Sequence, residues 1–164
     1  MSGDGYLFRM PREEDITATT RAAATPEEAA YVFLEQAKQE LSRDKAIVPL
    51  AVLVLGTAPE LTYDLIALIF SEETKRAIFQ DLVSTAREKS ASAIITVTQA
   101  SFGRVDDEQA WKDCIFVTVS GPDIETVILH LPYTTGGWLK RIRFGDLRRK
   151  IQKAPFNFLP GWPI

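Results

Sequence analysis

Apolar residues recur at intervals of three and four between Thr25 and Ser42, which is the spacing of one face of an α-helix. Thr25 is followed by Pro26 and two glutamates, and these residues supply a capping hydroxyl, a proline at the first helical position and acidic side chains in the first turn. A second segment with helical spacing follows Ser71. The pattern therefore predicts two main helices.

Five other runs are rich in β-branched residues and leucine, as expected for strands of a buried sheet: residues 47–55, 63–70, 93–99, 114–120 and 124–131. Turn sequences separate the first two runs and the last two, which predicts two hairpins. Asp146 is expected to cap a short helix from Leu147 to Lys153, ended by Pro155. The order is then α-β-β-α-β-β-β-short α, an α+β domain with a mostly antiparallel five-stranded sheet.

This order of elements, over residues 25–153, is similar to the order in roadblock-like and other profilin-like domains. The resemblance is one of topology. It implies a five-stranded sheet that carries helices, and a role as a dimerising or regulatory scaffold.

Composition favours a single domain, since 164 residues with 46% hydrophobic content are enough for one core. We expect an N-terminal arm over residues 1–24, the α+β domain over 25–139, and a C-terminal part over 140–164 that packs on the domain or on a partner subunit. The longest apolar run, Ala46–Leu55, is too short for a membrane span, and residues 1–21 lack the apolar core of a secretory leader. A cytoplasmic location is expected.

Charge is distributed unevenly along the chain. From residue 140 onward there are 7 basic residues and 1 acidic residue, although the net charge of the whole chain is −3. A basic segment of this kind indicates an acidic partner, another protein or the chain's own acidic surface, and a solvated helical face is an alternative. The candidate partner-binding residues are Lys140, Arg141, Arg143, Arg148, Arg149 and Lys150, with the aromatic residues Trp138 and Trp162.

The terminal residues Phe156–Ile164 combine aromatic side chains with prolines. An exposed strip of this composition would form an apolar patch larger than a soluble monomer usually carries. We therefore expect the tail to be covered by its own domain or by another chain. This leads to the main hypothesis, a non-enzymatic binding or assembly module whose basic segment and tail dock an acidic protein surface or a second subunit.

Catalytic and cofactor motifs are not evident, and the single cysteine and single histidine leave few routes to metal or nucleophilic chemistry. No cofactor or metal is expected. One alternative is a small-ligand or enzymatic site near His130, with Tyr133 as a second lining residue. The other is nucleic-acid binding through Lys140–Lys153, and a sequence pI of 5.3 weakens that case.

Overall fold

The computed structural model of the protein describes residues 25–57, 60–69, 71, 73–102, 112–152, 159 and 162. Within them the chain forms an α+β domain with two helices and one seven-stranded antiparallel sheet. The elements are α1 (Pro26–Asp44), β1 (Leu50–Thr57), β2 (Glu60–Ala67), α2 (Lys75–Glu88), β3 (Ala93–Phe102), β4 (Lys112–Gly121), β5 (Ile124–Gly136), β6 (Arg141–Phe144) and β7 (Arg148–Gln152).

The strand order is β2-β1-β3-β4-β5-β6, and β7 pairs with β5 on the same side as β6. The α+β class and the mostly antiparallel sheet are confirmed, with seven strands in place of the five expected. The specific likeness to roadblock-like and profilin-like domains stays a prediction.

The helix α1 begins as its sequence predicts. The Thr25 hydroxyl accepts the N–H of Glu28 at 3.1 Å, and Lys45 ends the helix in a left-handed conformation with φ 61°. Its apolar side chains, including Phe33 and Leu41, are buried against one side of the sheet. We call this side the α1 face.

Each strand contributes alternate residues to the two sides of the sheet. Val52 of β1, Ile95 of β3, Val117 of β4 and Leu129 of β5 belong to the α1 face. The opposite side, here the α2 face, packs Ala51, Leu53 and Ile94 against Phe79, Leu82 and Val83 of α2. A core therefore lies on each side of β1 and β3, which explains why these strands are apolar at nearly every position.

Both edges of the sheet reach α1. Phe33 meets Tyr63 of β2 edge-on with ring centroids 6.3 Å apart, and the Lys38 ammonium lies 5.3 Å from the ring centroid of Phe144 in β6. Six strands at a spacing of ~4.8 Å span roughly 24 Å, more than twice the ~10 Å diameter of a helix. Long side chains on both sides therefore connect α1 to the two edges of the sheet.

Glu40 is a carboxyl that α1 places in the core, where it is 7% exposed and accepts the N–H of Val48 at 3.2 Å. Burial raises the pKa of this carboxyl. A carboxyl whose pKa is raised by folding favours the folded state while it is protonated. This stabilisation is fully present below the unfolded pKa and is lost as the pH rises through the folded pKa.

We therefore expect Glu40→Gln, which keeps an oxygen acceptor and removes the charge, to stabilise the protein at neutral pH by on the order of 1 kcal/mol. In acid, where the native carboxyl is neutral too, the difference should vanish. Urea unfolding at both pH values measures this, with exposed Glu88→Gln as the control. An equal effect of Glu40→Gln at both pH values would contradict the buried-charge explanation.

The predicted short helix at Leu147–Lys153 is wrong, because Arg148–Gln152 is strand β7. The N-terminal half of the long strand β5 has a free side, and β7 pairs with it through Thr126↔Gln152 to His130↔Arg148. Main-chain pairing along this edge outweighs the weak helical signal of a five-residue segment.

A β-bulge joins β6 to β7. Between the pairs Tyr133↔Phe144 and His130↔Arg148, two residues of β5 face the three residues 145–147. Pro132 of β5 lies at this point and has no N–H to donate, while its carbonyl accepts the N–H of Gly145 at 2.8 Å. The hydrogen-bonded ladder is therefore interrupted at Pro132, the residue of β5 that has no N–H to donate to it.

Candidate functional site

The basic segment forms a strip on one face of the β6–β7 edge. Directly paired residues of antiparallel strands project to the same face. Arg143 is opposite Thr134, Arg148 is opposite His130, and Lys150 is opposite Ile128. All the residues of β5 in these pairs belong to the α2 face. Four exposed cations therefore share that face, and we call them the basic strip: Arg141, Arg143, Arg148 and Lys150.

The bulge is what brings these four residues together. In β6 the odd-numbered residues project to the α2 face, whereas in β7 the even-numbered residues do so. The extra residue in the segment 145–147 reverses the alternation, so Arg143 and Arg148 lie on the same face although they are five positions apart.

Arg149 projects to the other face and is already paired. Its guanidinium donates two hydrogen bonds to the Glu27 carboxylate at 2.8 and 2.9 Å, across the start of α1. This contact lowers the pKa of Glu27. Of the predicted partner-binding residues, Arg149 thus serves an intramolecular contact, and an exposed ion pair of this kind contributes little to stability.

Among the residues that the structure describes, the basic strip has no acidic counterpart. None of its four residues forms an ion pair with any residue that the structure describes. On the α2 face, the described positions of strands β3 to β7 contain neither Asp nor Glu. Lys112, exposed at the start of β4, adds a further cation to this face. The described part of this surface is therefore basic, although the chain as a whole is acidic.

Two large apolar side chains stand at the end of the strip, in the turn between β5 and β6. Trp138 is 91% exposed and Leu139 is 54% exposed. The turn is closed by a hydrogen bond from the Lys140 N–H to the Gly137 carbonyl at 3.2 Å. An aromatic side chain beside exposed arginines is the composition that protein interfaces favour.

Trp162 lies elsewhere and is buried within its own chain. It is 3% exposed, packs with Leu159 into the apolar cluster of the α2 face, and donates its indole N–H to the Ser120 carbonyl at 3.1 Å. Of the tail, the structure describes Leu159 and Trp162, while Phe156, Phe158, Ile164 and Lys153 lie outside the described residues. In this structure Trp162 therefore does not line the basic strip.

His130 and Tyr133 do not share a pocket, because they lie on opposite faces of β5. His130 projects to the α2 face between Phe116 and Arg148, where burial and then the Arg148 charge lower its pKa. Tyr133 is buried on the α1 face, and its hydroxyl accepts a hydrogen bond from the Gln99 amide at 2.7 Å. Residues three positions apart in a continuous strand project to opposite faces of the sheet.

Cys114, the single cysteine of the chain, is buried. Burial raises the pKa of Cys114 to about 11, so its sulfur is a neutral thiol at physiological pH. The described residues include no group of three acidic, histidine or cysteine side chains suited to holding a metal ion. Neither described helix has the length and hydrophobicity needed to cross a membrane.

Sequence reasoning missed two features of this surface. Lys112 is far from the basic segment along the chain, and only the strand register places it on the same face. The second is the reversal of alternation at the bulge, for which Pro132 and Gly145 were the available signals.

Comparison of the chain with protein-family models, with curated proteins and with solved structures gives no match.

Proposed function

We propose that this protein is a non-enzymatic binding module whose basic strip docks an acidic protein surface. The observation that carries this proposal is the set of four exposed cations, unpaired within the described structure, on a face where the described positions of β3 to β7 include no carboxylate. An acidic partner would supply the missing counter-charges, raise the rate of encounter and fix the orientation of binding.

Trp138 gives the surface an anchor that charge alone would lack. Exposed cation–carboxylate pairs contribute ~0–1 kcal/mol each, so charges by themselves give weak and salt-sensitive binding. An indole that is 91% exposed in the free protein can bury a large area on docking. The proposed interface therefore combines electrostatic selection by the strip with apolar burial at its end.

Edge strands also carry basic residues for another reason, since like charges hinder unwanted pairing between two copies. Protection of this kind requires charge near the edge but no exposed indole beside it. Trp138 and Leu139 favour a binding role over protection alone.

Binding to poly-glutamate tests the proposal. We expect Arg143→Gln/Arg148→Gln to weaken binding by about 10-fold at low salt, since two exposed ion pairs of up to ~1 kcal/mol are lost. The matched control is Lys45→Gln/Arg76→Gln, which removes the same charge from the helical parts of the chain. Titration by fluorescence anisotropy at several salt concentrations gives the affinities.

Equal weakening by the two double variants would refute the assignment of the surface. Single-stranded DNA of equal charge serves as the competing polyanion. A clear preference for DNA over poly-glutamate, with a steep salt dependence, would replace the acidic-protein proposal by nucleic-acid binding.

A further inference from the structure

Within the described part of the chain, the outer side of β7 is an unpaired strand edge. Residues Arg148–Gln152 pair with β5 on one side, and no strand among the described residues pairs with them on the other. Every second residue of such an edge points its N–H and C=O groups outward. These groups are available to a peptide that approaches along the edge.

The side chains of β7 would select which peptide binds. Arg148 and Lys150 project to the α2 face, while Ile151, 39% exposed, projects to the α1 face. A strand added beside β7 places its own residues alternately on these faces, opposite their β7 neighbours. Carboxylates opposite Arg148 and Lys150, with an apolar residue opposite Ile151, give complementary pairs at each of these positions.

The spacing of the charges also fits an extended chain. Alternate residues in a strand are ~7 Å apart, so carboxylates at alternate positions of a peptide match Arg148 and Lys150 one to one. A nucleic acid has no backbone N–H groups to donate to the free carbonyls of β7. The combination of an open edge and alternating cations therefore favours a peptide over a polynucleotide.

Two copies of this chain fit the edge less well. Two β7 edges would bring Arg148 and Lys150 of each copy together, and like charges opposite one another repel. At the opposite edge of the sheet, β2 carries Glu60 and Asp64 on the α2 face. They are four residues apart and so do not match Arg148 and Lys150 one to one, and the Asp64 carboxylate already binds the Lys89 ammonium at 2.8 Å. A segment of a different protein is the better match.

We propose that β7 binds an extended acidic segment of a partner protein as an additional strand, with carboxylates on the α2 face and an apolar residue beside Ile151. This inference rests on the proposed function and adds to it the mode of recognition, β-strand addition.

An octapeptide that alternates Glu and Val is the probe. One comparison peptide has the same composition with all Glu residues before all Val residues, and another alternates but is N-methylated at half of its residues of each type. We expect the alternating peptide to bind about 10-fold tighter than either, because only it combines the charge pattern with main-chain pairing. Hydrogen exchange should slow at the β7 amides when it binds.

Variants of the protein locate the binding. Arg148→Gln/Lys150→Gln should abolish the preference for the alternating peptide, while Lys45→Gln/Arg76→Gln should keep it, with folding of each variant checked by circular dichroism. Equal affinity for the three peptides would overturn strand addition and leave electrostatic docking in place. Absence of binding by all three would overturn both. Protection of β2 in place of β7, or an increase in solution mass, would assign the edge to self-association and also overturn the inference.

Discussion

Val52→Asp should destabilise the protein by about 4 kcal/mol or more, a large part of the roughly 5–15 kcal/mol that stabilises an ordinary domain. Val52 has no exposed surface and lies on the α1 face of the sheet, packed in the cluster that includes Phe33. An aspartate there would bury a carboxylate among apolar side chains without a partner. Thermal and urea unfolding followed by circular dichroism measure the loss.

Ile69→Asp is the matched control, because it introduces the same charge at an apolar residue that is 65% exposed. Its effect should stay within ~0.5 kcal/mol. If the two variants unfold at the same temperature, Val52 does not lie in the core and the central position of β1 is wrong.

Trp162→Ala should cost about 3–5 kcal/mol, the usual range for removing a buried tryptophan. The indole packs in the cluster formed by α2, β1 and β3, and the hydrogen bond to the Ser120 carbonyl is lost with it. Trp162→Phe keeps most of the apolar contact and should cost less, with ~1 kcal/mol attributable to the hydrogen bond. The free energy of unfolding of each variant is obtained from urea titrations.

The comparison with Trp138→Ala makes this prediction specific. Both substitutions remove an indole, but Trp138 is 91% exposed, so its loss should leave stability unchanged. We expect the two tryptophans to separate by function: Trp162 supports the fold, and Trp138 supports binding. Equal stability of the two alanine variants would show that the tail does not hold to the domain in solution.

The parts of the fold that the sequence predicted are those set by local chemistry. Thr25 is followed by the residues of an N-terminal cap, and the hydrogen bond to Glu28 N–H forms as expected. The β1–β2 hairpin follows from the turn sequence that begins at Gly56. The φ of Gly56 is 89°, and a Cβ there would lie 2.6 Å from the Glu60 carbonyl oxygen. Such features depend on a few neighbouring residues, so a pattern can predict them.

Strand β7 was missed because its partner determines its conformation. Leu147 and Ile151 are spaced as on one face of a helix, yet the alternation of Arg148 and Lys150 with Arg149 and Ile151 suits a strand equally well. The strand forms because the N-terminal half of β5 offers an edge for it to pair with. The position of that edge depends on how the whole sheet is arranged, which local sequence does not reveal.

The candidate surface was predictable in composition but not in arrangement. Counting charges identified Arg148 and Arg149 together, whereas the structure sends them to opposite faces. Arg149 meets Glu27, which is 122 positions away, and this contact could not be inferred from spacing. Conversely, Lys112 joins the surface through strand register alone.

The length of the segment 145–147 determines which residues of β7 project to the same face of the sheet as Arg141 and Arg143 of β6. An insertion of one residue there, with the bulge kept at one extra residue, would leave composition and net charge nearly unchanged, yet it would turn Arg149 and Ile151 toward the α2 face and remove Arg148 and Lys150 from it. The length of this segment matters more than the identity of most of its residues. Related chains that bind the same partner should therefore tolerate substitutions at Asp146 or Leu147 far more readily than a one-residue insertion between Phe144 and Arg148.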